Sequence, residues 1–153
     1  MRIAIGSDHA GYALKERVKA ELTRLGHEVA DLGTSSGETS VDYPDFAIPV
    51  GEAVASGRAE RGVVVCATGI GASIAANKVE GVRASVVTSD ETARLTRNDN
   101  DSNVLALGGR TVPNFDDALR WLRVWLETPF AGGRHERRVE KIRDYEAHHR
   151  STT

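Results

Sequence analysis

Short apolar runs alternate with helix-like segments along the whole chain, and this alternation restricts the fold more than any other feature. The apolar runs cover residues 2–6, 27–32, 61–66, 83–87 and 103–107. Continuously apolar strands that are separated by helices are typical of a parallel sheet with both faces covered. The sequence therefore predicts a doubly wound α/β domain with about five mostly parallel strands and helices on both faces of the sheet.

The helical segments have apolar residues at intervals of three and four residues. The first is predicted to bury Leu14, Val18, Leu22 and Leu25 on one face, and others are predicted at 44–55, 72–78, 89–97, 114–127 and 134–149. Ser89 is a candidate N-cap. The chain has 153 residues, of which 40% are hydrophobic and 27% are charged, as in one ordinary domain. We expect a single domain over residues 1–153, with a flexible C-terminal tail from about residue 147.

Charge and composition argue against several classes of function. The 20 Lys and Arg residues against 22 Asp and Glu leave a net charge of -2, which gives no general attraction to nucleic acid or to an anionic membrane. No apolar run approaches the roughly 20 residues of a membrane-spanning helix, and the N-terminus lacks the apolar core of a signal peptide. The single cysteine excludes an intramolecular disulfide, and the five histidines lack the spacing of metal ligands. We expect a cytoplasmic protein without nucleic-acid, membrane or metal partners.

Polar residues follow three of the predicted strands. Asp8 and His9 come after the first strand. Cys66 ends the third strand, Thr68 follows it, and Arg110 follows the fifth strand. In open parallel sheets, ligands bind beyond the carboxyl ends of the strands. We therefore expect these side chains to line one site.

Cys66 lies at a strand end, just before a predicted helix whose N-terminal amides would favour a thiolate. It could act as a base or a nucleophile, whereas a lone cysteine can also be a small buried hydrophobic residue. A nucleophile of the phosphotyrosine-phosphatase type would need an arginine six residues later, where this chain has Ala72. The sequence therefore disfavours that chemistry.

The loop after the third strand contains Gly69, Ile70, Gly71 and Ala72. Such a loop can present consecutive backbone N–H groups to an oxyanion, and it can equally be a tight turn between a strand and a helix. Ile74 occupies the third glycine position of a dinucleotide fingerprint, and the sequence also lacks the Gly-Lys-Ser/Thr of a P-loop. The loop therefore does not predict a nucleotide site.

Several basic residues are candidates for binding a phosphate. Arg134 and Arg138 are four residues apart and so share one face of the last helix, and Arg110 could join them. His9 could donate to a phosphate or a hydroxyl, and Asp8 could orient hydroxyls. Simpler explanations are that Asp8 caps a helix beside an exposed His9, and that the arginines belong to a solvated face that also carries carboxylates.

Six motifs follow one another along the chain. They are Ser7-Asp8-His9-Ala10-Gly11, Asp42-Tyr43-Pro44, Cys66-Ala67-Thr68-Gly69-Ile70-Gly71, Ala75-Ala76-Asn77-Lys78, Asn100-Asp101-Ser102-Asn103-Val104-Leu105-Ala106-Leu107-Gly108-Gly109-Arg110 and Gly132-Gly133-Arg134-His135. In this order and spacing they resemble the ribose-5-phosphate isomerase B and galactose-6-phosphate isomerase family (RpiB/LacAB). The resemblance extends from Arg2 to about Glu146. It implies a Rossmann-like domain that forms a homodimer with sites at the subunit interface.

The resemblance implies metal-free interconversion of an aldose phosphate and a ketose phosphate through an enediolate, without a cofactor. The family favours ribose 5-phosphate and ribulose 5-phosphate. By resemblance, Cys66 transfers the proton, and Thr68 with the amides of residues 69–72 forms an anion hole. Residues matched to substrate oxygens are Asp8, Tyr43 and Asn100, and those matched to the phosphate are His9, Arg110, Arg134 and Arg138. Part of this set, including Asn100 and Arg110, is expected from the partner subunit, and two dimers could associate as a tetramer.

One position departs from the family pattern. The chain has Asp99-Asn100-Asp101 where the family has His-Asn-Asp, so a carboxylate replaces the histidine that is linked to opening the sugar ring. A carboxylate cannot donate a proton as an imidazolium can. A four-carbon sugar phosphorylated at its terminal oxygen cannot form a furanose, which makes erythrose 4-phosphate and erythrulose 4-phosphate an alternative substrate pair. Alternatively, Asp99 polarises a water or a hydroxyl, and the ring opens by another route or spontaneously.

Two functions without catalysis compete with this one. A phosphosugar sensor could use the same arginines and glycine-rich loop, and the fold alone would also suit a nucleotide-binding regulator. A sensor has little use for a thiol that faces the substrate carbons, and the failed dinucleotide fingerprint disfavours the regulator. Cys66→Ala is expected to spare binding in a sensor and to abolish turnover in an enzyme.

Overall fold

Five parallel strands form one sheet in the computed structural model, which describes residues 1–149. The strands are β1 (Arg2–Ser7), β2 (Glu28–Asp31), β3 (Arg61–Cys66), β4 (Ala84–Val86) and β5 (Val104–Gly108). Their order across the sheet is β2-β1-β3-β5-β4, and every neighbouring pair is parallel. This sheet confirms the predicted doubly wound α/β fold.

Helices cover both faces of the sheet because the strands bury side chains on both sides. Ile3 and Ile5 pack in one core layer with residues such as Trp125, whereas Ala4 packs with Val50 in the other. The helices are α1 (Tyr12–Arg24), α2 (Pro44–Ala55), α3 (Ile70–Ala76), α4 (Asp90–Asn100), α5 (Phe115–Glu127) and α6 (Arg134–His148). Side chains of α1, α4 and α5 enter the first layer, and those of α2 and α3 enter the second.

Glycines in the central strands let α2 approach the sheet closely. A Cβ atom at Gly6 would lie 2.8 Å from the Phe46 carbonyl oxygen, and one at Gly62 would lie 2.5 Å from Val50 Cγ1. Both distances are too short for non-bonded atoms in a close-packed interior, so larger residues would push α2 away. The close approach fixes Tyr43, which occupies the N-cap position of α2.

α3 begins and ends two residues earlier than the sequence predicts. It runs from Ile70 to Ala76 rather than over 72–78, and Gly69 occupies its N-cap position. The side chain of Asn77 bonds both the N–H and the carbonyl of Ala84, at 2.7 and 2.9 Å. These bonds tie the end of α3 to the edge strand β4.

α4 ends three residues later than predicted, at Asn100. The predicted N-cap, Ser89, is confirmed, because its hydroxyl accepts an N–H of the first turn at 3.0 Å. Arg97, the last residue of the predicted helix, is buried, and its guanidinium bonds the Asp101 carboxylate and the Ser102 carbonyl. Those contacts hold the final turn of α4 against the following loop.

The ends of α1 and α6 also differ from the prediction. Leu25 is 38% exposed, because α1 ends at Arg24 and Leu25 is its C-cap. Of the tail predicted to be flexible from about residue 147, residues 147 and 148 belong to α6, and residues 150–153 lie outside the described part of the chain. None of the helices within residues 1–149 has the length and apolar character needed to cross a membrane.

Candidate functional site

Backbone hydrogen bonds join the loops that follow β1, β3 and β5 at one edge of the sheet. The Asp8 N–H donates to the Val65 carbonyl at 3.2 Å, and the Arg110 N–H donates to the Ala67 carbonyl at 2.9 Å. The strand ends therefore form one continuous surface. We define the carboxyl-edge group as the predicted site residues on this surface, namely Asp8, His9, Tyr43, Cys66, Thr68, residues 69–72 and Arg110.

Glycine lets these loops touch one another. A Cβ atom at Gly11 would lie 2.4 Å from the Val65 carbonyl oxygen, and one at Gly109 would lie 2.7 Å from the Ala10 carbonyl oxygen. A side chain at either position would force the loops apart. The glycines of the sequence motifs thus have a structural explanation that is independent of any ligand.

Cys66 ends β3 with its side chain almost fully buried beside Ala72 and other small residues. Its Sγ accepts the Gly69 N–H at 3.2 Å. The thiol therefore packs in the core, as a small buried residue would, and it also contacts the glycine-rich loop.

The glycine-rich loop turns at Gly69, whose φ of +80° lies in the left-handed region. Thr68 Oγ1 accepts the Ile70 N–H at 3.1 Å. The next two amides, those of Gly71 and Ala72, have no hydrogen-bond acceptor within residues 1–149. Open amides beside a thiol can stabilise negative charge on a bound oxygen.

Tyr43 covers the glycine-rich loop from the side of α2. A Cβ atom at Gly71 would lie 2.6 Å from Tyr43 Cζ, so the ring rests directly on the glycine backbone. Tyr43 nevertheless remains 39% exposed. It therefore forms a wall of the site that a ligand can contact.

Asp8 and His9 have defined hydrogen bonds at the end of β1. Asp8 is buried, and its Oδ1 accepts the Gly11 N–H at 2.9 Å. One interpretation of the sequence expected Asp8 to be the N-cap of α1, but Gly11 occupies that position. His9 Nδ1 accepts the Val41 N–H at 3.1 Å. Since Nδ1 is the acceptor, Nε2 carries the proton of the neutral ring and can donate to a ligand.

The remaining predicted residues lie at the opposite edge of the sheet. Asp99 and Asn100 end α4, which starts beyond the carboxyl end of β4 and runs back for 11 residues, about 16 Å. Arg83, which directly precedes β4, donates to the Asn100 carbonyl at 3.1 Å. Arg134 and Arg138 are exposed in the first turns of α6. We call Asp99, Asn100, Arg134 and Arg138 the amino-edge group.

Contacts around Asp99 join the end of α4 to α6. His135 Nε2 lies 3.5 Å from Asp99 Oδ1, and Asn98 Nδ2 donates to the same oxygen at 2.8 Å. The Ala131 N–H donates to the Asn98 carbonyl at 3.1 Å. His135 is not among the predicted site residues, although it belongs to the glycine and arginine motif that begins α6.

Asp101 holds the loop after α4 in place. Its φ of +49° lies in the left-handed region, which is uncommon for residues other than glycine. Its carboxylate contacts the guanidinium of Arg97 at 2.8 Å and that of Arg83 at 3.5 Å. Burial lowers the pKa of Arg83, and the negative charge of Asp101 opposes that shift. The pairing fixes the segment that carries Asp99 and Asn100.

Exposed apolar side chains lie beside both groups of predicted residues. On α3, Ile70 and Ile74 are more than half exposed next to the glycine-rich loop. On α6, Ile142 and Tyr145 are also largely exposed, and they border a groove of about 450 Å³ that reaches Asn100. These two exposed apolar pairs are candidates for contact with a partner.

The carboxyl-edge group can transfer a proton and stabilise an oxyanion. The sulfur of Cys66 can accept and return a proton, and the hydroxyl of Thr68 and the open amides can donate hydrogen bonds to an oxyanion. Within the described residues, no group of three or more His, Cys, Asp or Glu side chains is arranged to hold a metal ion.

Known proteins with similar sequences and structures are named as sugar-phosphate isomerases. Residues 3–142 match the family model described as Ribose/Galactose Isomerase. YwlF of Bacillus subtilis, whose name specifies a sugar phosphate isomerase without a particular sugar, is 46% identical over 147 residues, covering 95% of this chain and 97% of that protein. Ribose-5-phosphate isomerase B of Escherichia coli is 46% identical over 141 residues, covering 92% of this chain and 93% of that protein.

A solved structure of a protein from this family is also similar to this chain. Ribose-5-phosphate isomerase B of Clostridium thermocellum has a TM-score of 0.93 and 53% identity, and the match covers 97% of this chain and 99% of that one. The sequence and structural similarities together confirm the resemblance that the motifs indicate.

Proposed function

Because the chain belongs to the ribose/galactose isomerase family and is an aldose–ketose isomerase, we propose that it interconverts ribose 5-phosphate and ribulose 5-phosphate. The observation that carries this proposal is the position of Cys66. The one thiol of the chain lies at the carboxyl edge, accepts the Gly69 N–H, and adjoins two open amides. Relatives named ribose-5-phosphate isomerase B support a pentose phosphate as the substrate.

In the proposed reaction, the Cys66 thiolate removes the proton from C2 of the open-chain aldose and so forms an enediolate. The Thr68 hydroxyl and the amides of Gly71 and Ala72 stabilise the negative oxygen. The thiol then returns the proton to C1, and the hydroxyl proton of O2 moves to O1. The product is the ketose, and the thiolate is regenerated.

We assign the hydroxyl groups of the substrate to Asp8, Tyr43 and Asn100. The phosphate is assigned to the basic residues of both edges, because charge-assisted hydrogen bonds from guanidinium groups and an imidazole N–H suit a phosphate. These basic residues are His9, Arg110, Arg134 and Arg138. The Nε2–H of His9, which its bond to Val41 leaves available, supports its part in this set.

A complete site of this kind needs two copies of the chain. Cys66 lies at the carboxyl edge of the sheet, and Asn100, Arg134 and Arg138 lie at the amino edge. We propose a homodimer, alone or as half of a tetramer, in which the amino-edge group of one protomer completes the carboxyl-edge group of its partner. A two-fold axis generates two such sites. The backbone of Arg110 lies at the carboxyl edge of its own chain, so the contribution that we assign to the partner is the amino-edge group.

Erythrose 4-phosphate and erythrulose 4-phosphate are the second candidate substrate pair. The observation that favours them is Asp99, which stands where the family pattern has a histidine linked to ring opening. A tetrose phosphate is already open or hydrated. An isomerase for this pair would therefore not need that histidine.

The test is a steady-state comparison of kcat/KM for ribose 5-phosphate and erythrulose 4-phosphate. We expect a higher value for the pentose, and a tenfold or larger preference for the tetrose would replace the proposed substrate. Cys66→Ala is expected to lower kcat by at least about 100-fold and to retain binding of the substrate. Binding without turnover in the unmodified protein would instead indicate a sensor.

A further inference from the structure

Within the described part of the chain, one oxygen of the Asp99 carboxylate is held by other side chains and the other oxygen has no partner. Oδ1 accepts the Asn98 Nδ2–H at 2.8 Å and lies 3.5 Å from His135 Nε2. Among residues 1–149, all hydrogen bonds and ion pairs of this carboxylate are made through Oδ1. Since the side chain is 35% exposed, Oδ2 is available to a ligand.

The backbone beneath Asp99 is fixed as well. Arg83 Nε donates to the carbonyl groups of both Asn100 and Asp101, at 3.1 and 3.0 Å. Arg97, which is buried, bonds the Asp101 carboxylate one turn along the helix. A functional group that is supported by a second layer of contacts keeps its geometry better than one on a mobile loop. The free oxygen of Asp99 is therefore presented from a rigid helix end.

We propose that Asp99 opens the ring of a furanose phosphate with Oδ2 as the base, and that His135 is a positioning residue that holds Oδ1. The inference rests on the proposed function, because an isomerase that forms an enediolate must first obtain its aldose in the open-chain form. In this role the proton that Asp99 donates comes first from the substrate, so the carboxylate does not have to hold a proton beforehand as an imidazolium does.

The proton and electrons of this step balance within the substrate and the carboxylate. Oδ2 takes the proton of the anomeric hydroxyl, and the bond between C1 and the ring oxygen breaks. The electron pair of that bond stays on the ring oxygen, while C1 and O1 form the aldehyde. The same proton then moves from Oδ2 to the ring oxygen, which restores the carboxylate without any co-reactant.

The proposed step defines the class of substrate. Conversion of an aldose phosphate depends on Asp99 when a free hydroxyl of the sugar closes a five-membered ring. Conversion of an acyclic sugar phosphate does not. Ribulose 5-phosphate is acyclic, because the hydroxyl that would close its furanose ring carries the phosphate. Proton exchange at C1 of this ketose therefore reports on Cys66 without involving Asp99.

The experiment measures net turnover and isotope exchange in the same variants. Asp99→Asn is expected to lose more than about tenfold in kcat/KM for ribose 5-phosphate, while exchange of the C1 hydrogen of ribulose 5-phosphate with D2O stays within about threefold of the unmodified protein. His135→Gln is expected to show the same separation of turnover from exchange to a smaller extent. Asp144→Asn, an exposed carboxylate on the same helix as His135, is the matched control and is expected to change neither.

Retained exchange shows that an Asp99→Asn protein is folded with a working Cys66. Equal loss of turnover and exchange, or no loss of either, would overturn the assignment of Asp99. If His135→Gln loses isotope exchange as well as turnover, the positioning role of His135 is overturned. An unmodified protein that neither converts ribose 5-phosphate nor exchanges ribulose 5-phosphate would instead reject the proposed pentose function, and with it this inference.

Discussion

At the scale of single residues, two glycines of the same loop are required for different reasons. Gly69 has a φ of +80°, so any side chain there would be strained whatever space it had. Gly71 has no positive φ, and its constraint is the ring of Tyr43, which lies where a Cβ atom would be. Substitution at Gly71 therefore tests a contact within the site rather than a backbone conformation.

Gly71→Ala is expected to displace the Tyr43 ring and to raise KM for the sugar phosphate by about tenfold, with a smaller effect on kcat. The measurement is steady-state kinetics of the single variant and of Gly71→Ala in a Tyr43→Ala background. In that background the methyl group has room, so it is expected to cause little further change. An equal loss in both backgrounds would show that contact with Tyr43 is not the cause.

At the scale of elements, the sequence predicts the bounds of β3 and α2 correctly, because apolar patterning and a starting proline mark them locally. The end of α3 depends instead on the bonds between Asn77 and Ala84, and the end of α4 depends on Arg97. Contacts of this kind join one element to another in the folded chain. The hydrophobic periodicity of a single segment does not predict them.

The sequence also predicts some parts of the candidate site and misses others. Strand ends followed by polar residues predict the carboxyl-edge group apart from Tyr43, because parallel strands end at a common edge, and only the resemblance to the family indicates Tyr43. The length of α4 places Asp99 and Asn100 at the other edge, and the contact of His135 with Asp99 arises only from the packing of α6 on α4. The pattern within single segments carries no signal of that packing.

A buried ion pair supports the loop that leads towards the site. Lys15 of α1 is 1% exposed, and its Nζ lies 2.7 Å from Asp31 Oδ1 at the end of β2. The same carboxylate accepts the Gly33 N–H at 3.0 Å, and the Gly33 carbonyl accepts the Ser7 N–H at 2.7 Å. Burial alone would raise the pKa of Asp31, but the bonds from Lys15, Gly33 and Lys19 bring it below its ordinary value of 3.8.

Asp31→Asn is expected to cost roughly 3 kcal/mol of unfolding free energy at neutral pH, because it leaves the buried Lys15 without its closest counter-charge. A carboxylate with a lowered pKa stabilises the fold above its ordinary pKa and loses that contribution as the pH falls through its folded value. The difference between variant and unmodified protein should therefore shrink as the pH falls below 3.8.

Urea unfolding at pH 7 and at progressively lower pH measures this difference. Asp116→Asn removes a largely exposed carboxylate that pairs with Arg17, and it is the control for which no measurable loss is expected. A stability difference between Asp31→Asn and the unmodified protein that does not change with pH would contradict the assignment to the Lys15 pair.

At the scale of the whole molecule, the fold separates the two groups of predicted site residues. The thiol and the open amides are at one edge of the sheet, and the amino-edge group is roughly one helix length away, about 16 Å. Exposed apolar residues of α3 and α6 lie beside the two groups. This arrangement suits a two-fold dimer in which each edge meets the opposite edge of the partner.

The central claim is that Cys66 and Asn100 act in one isomerase site but come from different chains. The most direct test unfolds Cys66→Ala and Asn100→Ala proteins together, refolds the mixture, and measures conversion of ribose 5-phosphate. Random pairing puts half of the protein in mixed dimers with one intact site each, so about a quarter of the unmodified activity should return. Activity that stays at the level of the separately refolded variants would contradict the account.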